Sequence, residues 1–222
     1  AKNVLFRTFV KDVANVIVNE NPADVTALLA CKMGDGTVEA ALQDKILVIG
    51  ENIKIRRFER YEGICAAYVH GGGTHGVLVN FNTSDAVASN PAFEAFGKDI
   101  AMQIAAANPT YLNEASVPAS VIDKEKEILL AQIANDPKTA SKPEQVKVKM
   151  VEGRIGKYYK ENCLLDQQFV KDPDLTISKY VANTAKELGG DIEVVKFVRF
   201  EKGEGLEKRE ENFAEEIAKM VK

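Results

Sequence analysis

Two widely separated segments of the chain carry nearly the same residues. Ile55-Arg-Arg-Phe-Glu-Arg-Tyr-Glu-Gly63 lies over Phe197-Val-Arg-Phe-Glu-Lys-Gly-Glu-Gly205. Arg57/Arg199, Phe58/Phe200, Glu59/Glu201, Glu62/Glu204 and Gly63/Gly205 are identical. Each copy follows a helical pattern, so one supersecondary unit, helix and then extended chain, occurs twice. With 222 residues the chain has room for one large domain or two small ones. The repeated order points to an α+β fold of duplicated small antiparallel sheets with helices packed on them.

Hydrophobic spacing places the elements. Phe6, Phe9, Val10, Val13 and Ile17 follow one helical face, which Asn21-Pro22 breaks before a second short helix through Leu29. Gly34-Asp-Gly-Thr37 reads as a turn, and Thr37 to Gln43 as a third short helix. From Asn52 the period changes to alternation through Phe58, which predicts a strand. Ile64 to His70 and Gly76 to Phe81 form a hairpin around the glycine-rich turn Gly71-Gly-Gly-Thr74. A helix with Phe93, Phe96, Ile100 and Ile104 on one face ends at Asn108-Pro109. Phe58 and Phe200, at matching places in the repeat, are candidate core residues.

The stretch from 119 to 160 is more charged. Ile122, Leu129 and Ile133 fit a narrow seam on one helix, and Val151, Ile155 and Tyr158 fit another. Joined by a proline-containing loop, these make a protruding antiparallel helical hairpin. Beyond a turn at Asp172-Pro-Asp174, Ile177, Tyr180, Val181, Thr184 and Leu188 share a helical face capped by Gly189-Gly190. Ile192 to Phe200 is a strand, and Phe213, Ile217, Met220 and Val221 make a terminal helical face. The expected organisation is an incomplete first repeat at 1–63, a second at 64–118 with 162–205, a hairpin insertion at 119–161 and a C-terminal helical module at 206–222.

Chemistry is sparse. The formal charge of −4 disfavours a dedicated nucleic-acid binder. Cys31, Cys65 and Cys163 lie far apart with no C-x-x-C, as in a reducing cytoplasm. Ala1-Lys2-Asn3 leads straight into an amphipathic pattern, which is not the pattern expected of a signal peptide, and no run of the sequence is apolar and long enough to cross a membrane. His70 and His75 are the only histidines, too few for a metal site. The glycine run lacks the Lys-Ser/Thr of a phosphate loop and joins two strands. Gly97-Lys98 is followed by Asp99, and no nucleophile elbow is present. The reading is a binding protein with no catalytic residue, cofactor or metal.

Six blocks carry a family resemblance: Gly50-Glu-Asn-Ile-Lys-Ile-Arg-Arg57; His70-Gly-Gly-Gly with Gly76-Val-Leu-Val79; Lys98-Asp-Ile-Ala-Met-Gln-Ile-Ala-Ala106; Val151-Glu-Gly-Arg154; Leu164-Leu-Asp-Gln-Gln-Phe-Val-Lys171; and Arg199 to Lys208. In this order they resemble elongation factor Ts. The resemblance implies a pseudo-repeated core of two three-stranded subdomains, a coiled-coil hairpin and a C-terminal helical module. It implies a translation factor that binds elongation factor Tu, in its nucleotide-free and GDP forms, and promotes guanine-nucleotide exchange. Position by position it marks Ile49, Gly50, His70, Gly71, Val170 and Lys171 as Tu contacts, while Thr74-His75 departs from the family's Arg-Ile.

In the family a Thr-Asp-Phe-Val motif precedes an Ala-Lys-Asn like the one at Ala1, and an upstream helical domain precedes that. The expectation is therefore a truncated, cleaved or incompletely recorded chain that docks on Tu but exchanges GDP poorly. Two alternatives are a dimerisation or scaffold module acting as a homodimer, and a ribosome- or RNA-associated protein using Arg56-Arg57 and Lys142 to Lys160.

Overall fold

A computed structural model describes residues 3–206. The terminal helical face expected at Phe213 to Val221 lies outside them. The chain divides into two compact units, Ala1–Glu62 and Gly63–Lys222.

In the first unit, helix α1 (Val4–Glu20) starts where the Asn3 side chain accepts the Phe6 N–H at 3.2 Å. It stops at Asn21, whose left-handed backbone (φ 46) turns the chain into Pro22. Phe9, Val13 and Ile17 are buried, but Val10 is 48% exposed. Helix α2 (Val25–Ala30) is followed by a two-residue hairpin, β1 (Lys32–Met33) with β2 (Gly36–Thr37). The Thr37 hydroxyl caps α3 (Val38–Ile49). That helix runs a turn and a half past the expected end at Gln43. Its apolar face continues through Leu42 and Ile46, and Gly50 supplies the left-handed exit at φ 76. Burying Phe9, Val13, Ile17, Leu28, Val38 and Leu42 together stabilises this small core by roughly 1.5–3 kcal/mol per side chain.

The strand expected from Asn52 is absent among the described residues. The alternation holds only from Ile53 to Arg56, with Ile53 and Ile55 on the helical core and Lys54 and Arg56 exposed; Phe58, expected on the opposite face, packs with the isoleucines, and Arg57 is exposed. Alternation reports which side chains turn inward; a strand also requires a ladder to a neighbour. Phe58 and Phe200 are both half-buried, so neither carries the full cost of a core phenylalanine.

The second unit is built on a three-stranded antiparallel sheet ordered β3 (Ile64–His70), β4 (His75–Thr83), β7 (Ile192–Glu201). His70 pairs with His75 at the hairpin end, and β7 returns along the other edge of β4, with a bulge at Asn80/Phe81. After the short helix α4 (Asp85–Ala88), α5 (Pro91–Ala107) lies on the sheet. Gly97 allows that approach, because a Cβ there would sit 2.8 Å from the Ala66 Cβ. Phe81, Phe93 and Phe96 interlock at centroid distances of 5.4–5.8 Å.

Helices α6 (Ala119–Asn135) and α7 (Glu144–Asn162) form the hairpin. Ile122, Leu129, Ile133, Val151 and Ile155 make a seam separate from the sheet's core. Its two ends are clasped where the Thr110 and Tyr111 N–H groups donate to the Asn162 carbonyl, and Leu164 N–H donates to the Tyr111 carbonyl. A second small hairpin, β5 (Gln168–Phe169) with β6 (Asp172–Thr176), leads into α8 (Ile177–Leu188). The turn expected at Asp172-Pro-Asp174 thus falls two residues earlier, at Val170-Lys171. Pro173 sits in a short strand of a two-stranded sheet, where a missing N–H is tolerated.

The duplication reaches further than the nine-residue match. α1 and α5 are each 17 residues long and end on a left-handed asparagine before proline, Asn21-Pro22 and Asn108-Pro109. Phe6/Phe93, Phe9/Phe96, Lys11/Lys98, Asp12/Asp99, Ala14/Ala101 and Ile17/Ile104 then coincide. α3 and α8 are each 12 residues, capped by Thr37 and Thr176 and released at Gly50 and Gly189. The helical hairpin enters the second copy between Pro109 and Leu164, where the first has only α2. The copies diverge at the end, since Phe197 to Glu201 is strand and Ile55 to Glu59 is not.

Candidate partner-binding surface

The six residues marked by resemblance fall on three places. Ile49 and Gly50 end α3 in the first unit. Leu47 is 81% and Val48 66% exposed beside them, with Ile49 half-buried. A helix cannot turn three successive apolar residues toward one core, and Ile46 already occupies the inward position. The fold leaves Leu47 and Val48 to water beside Gly50.

His70 and Gly71 form the β3–β4 turn. Gly71 has φ 58, and a Cβ on it would collide with the Thr74 side chain. The Thr74 hydroxyl donates to the His70 carbonyl at 3.1 Å, while the Thr74 carbonyl accepts the Lys202 N–H at 2.8 Å. His75 Nε2 lies 3.6 Å from a Glu201 carboxylate oxygen that also pairs with Arg199 at 2.9 Å. The turn is therefore braced from behind through His75 and Thr74. His70 stays exposed, sharing one 3.0 Å hydrogen bond with the Tyr68 hydroxyl.

Val170 and Lys171 form the β5–β6 turn, and this is the most heavily supported of the three. Phe169 is buried and stacks on Tyr180 at 4.4 Å. Lys171 Nζ meets Asp99 Oδ1 at 2.5 Å, and the Tyr180 hydroxyl donates to Asp99 Oδ2 at 3.2 Å. Burial first, and then the Asp99 charge, push the Tyr180 hydroxyl up to about 12. From the other side, the wholly buried Gln103 accepts the Val170 N–H at 2.8 Å. Its amide nitrogen donates to Gln167 Oε1 and to the Gln168 carbonyl, both at 3.1 Å.

Sequence reasoning put Tyr180 on a helical face, and Asp99, Gln103 and Gln167 within the resemblance blocks, but assigned none of the four a part in holding this turn. One signal existed for Gln103. It follows Phe96 and Ile100 at helical spacing, a carboxamide on an apolar stripe, and such a group needs buried partners. Gln167 had none.

Elsewhere, a cleft of about 580 Å³ in the first unit is lined by residues 21–25 and 56–60. Cys163 is fully buried, and burial, followed by Asp166 and Glu114, pushes its thiol up to about 11. Among the described residues no three His, Cys, Asp or Glu side chains converge as metal ligands, and no helix is long and apolar enough to cross a membrane.

The duplicated α+β frame, with supported turns offered to solvent, is that of a translation elongation factor. A family model for Elongation factor TS matches residues 1–204. Elongation factor Ts of Clostridium perfringens (strain SM101) is 50% identical over 99% of this chain and 72% of its own length. The same-named proteins of Syntrophotalea carbinolica and Clostridioides difficile are each 45% identical across the whole chain, covering 73% and 72% of theirs. The chain belongs to the elongation factor Ts family.

Proposed function

We propose that this chain binds elongation factor Tu and promotes release of GDP, acting in the cytoplasm, where translation proceeds. Ile49, Gly50, His70, Gly71, Val170 and Lys171 are the contacts. An exchange factor is a competing ligand. It binds the nucleotide-free partner more tightly than the GDP-bound one, and by linkage it weakens GDP binding by the same factor. No bond is broken, and the protein needs only preformed surfaces.

The observation that supports this most directly is the build of the two turns in the second unit. Each presents exposed side chains on a backbone held by neighbouring groups, so little ordering remains to be done on binding. The exposed Leu47-Val48 pair beside Gly50 supplies apolar area on the first unit.

Stopped-flow release of a fluorescent GDP from Tu tests the activity, and calorimetry with nucleotide-free Tu tests the contacts. His70→Ala should weaken Tu binding by about tenfold, as loss of an exposed polar contact at an interface does, with thermal stability nearly unchanged. Parent-like affinity in that variant would remove His70 from the surface. Failure of the parent chain to bind nucleotide-free Tu at any salt concentration would end the proposal.

A further inference from the structure

We infer that Gln103 is a positioning residue for the Val170-Lys171 turn, acting through the Val170 backbone rather than by touching the partner. For its consequence in binding, this rests on the reading that the turn contacts Tu. Gln103 is 0% exposed on α5, on the same helix as Asp99. Its Oε1 accepts the Val170 N–H at 2.8 Å, and its Nε2 donates to Gln167 Oε1 and the Gln168 carbonyl. One carboxamide thus holds the turn residue, the strand residue two before it, and a second buried carboxamide.

That second group, Gln167, is 4% exposed. Its side-chain amide donates to the Glu161 carbonyl at 2.8 Å and the Ala107 carbonyl at 3.4 Å, while the Gln167 backbone carbonyl accepts the Ile177 N–H at 2.9 Å. Glu161 belongs to the last turn of α7. The pair therefore ties the turn to the foot of the helical hairpin and the end of α5, and the Gln167 backbone adds the start of α8. Val170 itself is 46% exposed, so its side chain contributes little to holding it in place. In a two-residue turn between strands as short as β5 and β6, the ladder is too short to set the backbone alone. Polar anchoring from behind does that, with every partner satisfied.

A glutamine is suited to this because it accepts and donates at once. Methionine keeps the volume and does neither. Glutamate keeps the acceptor for Val170 and loses the donors.

The experiment uses the full chain with Gln103→Met and Gln103→Glu. Amide hydrogen exchange is read at Val170 and, as a control in the centre of the sheet, at Val79; affinity and dissociation rate are measured with nucleotide-free Tu. In Gln103→Met, exchange at Val170 should speed by about tenfold, with Val79 unchanged. Dissociation from Tu should quicken by about three- to tenfold. Gln103→Glu sets a buried carboxyl against the Gln167 Oε1 and Gln168 carbonyl oxygens, so it should protect Val170 at acid pH, where the protonated carboxyl can both accept and donate, and lose that protection as pH rises. Parent-like exchange at Val170 in Gln103→Met, or equal acceleration at Val170 and Val79, overturns the anchoring. A loosened Val170 with unchanged Tu affinity overturns its role in binding. If the parent does not bind Tu, the functional reading fails on its own, and the exchange measurements still decide the anchoring.

Discussion

Gly97 is where α5 comes closest to the sheet, and replacing it with alanine sets two known effects against each other. In an exposed helix the change stabilises by about 1 kcal/mol, because glycine loses more backbone freedom on folding. Here the added Cβ would stand 2.8 Å from the Ala66 Cβ and 3.6 Å from the Phe81 ring. The Ala66 methyl is fixed to the backbone of β3 and has no rotamer to swing away. The helix or the strand must shift, and overpacking of that kind costs about 1–3 kcal/mol. Steric cost wins, leaving a net loss of up to about 2 kcal/mol once the propensity gain is subtracted.

Urea unfolding, followed by hydrogen exchange of β4 amides so that the second unit is read separately from the first, measures the loss. Removing the opposing methyl with Ala66→Gly gives the control. The double variant should recover about 1 kcal/mol of coupling, since the two sites touch. The matching position in α1 is Val10, 48% exposed, so a side chain at that helical place is not intrinsically forbidden; the sheet forbids it. If Gly97→Ala were more stable than the parent by the full helix-propensity gain, or if Ala66→Gly left the effect of Gly97→Ala unchanged, the packing argument would be refuted.

Two further outcomes follow from the buried groups. Tyr180 has its proton affinity raised from 10.0 to about 12 by burial and Asp99, so folded protein holds the proton after unfolded chain has released it. Its contribution is complete below about pH 10 and is lost as pH rises toward 12. Tyr180→Phe should flatten the decline of stability in that window, and identical alkaline curves would contradict the assignment. Cys163, buried and with its thiol pushed up to about 11, should resist thiol reagents at pH 8 in the native state, whereas exposed Cys65 reacts first. Mass spectrometry of partly labelled protein reads the order, and native labelling of Cys163 at the rate of Cys65 would show the burial to be wrong.

The helices were legible because their signals are local. A cap, a breaker and a stripe lie within a few residues of one another, as Asn3, Asn21-Pro22 and Phe9-Val13-Ile17 do in α1. The β3–β4 hairpin was legible for the same reason, a glycine turn between two alternating runs. The repeat at 55–63 and 197–205 disclosed the duplication, and the match between α1 and α5 is marked structurally by the left-handed asparagines that end both helices.

What the chain could not disclose from its order of residues is how distant pieces meet. Alternation from Asn52 gave the inward side chains only as far as Arg56, and whether that stretch becomes a strand depends on a neighbouring ladder, which is a tertiary matter. Marking Val170 and Lys171 took a resemblance, and nothing near them in the chain shows what holds them. Their supports, Asp99, Gln103 and Tyr180, come from α5 and α8, and only folding brings those helices against the turn. Helical periodicity and capping are short-range and survive in sequence; hydrogen bonds between residues far apart in the chain exist only once hydrophobic packing has chosen which faces touch.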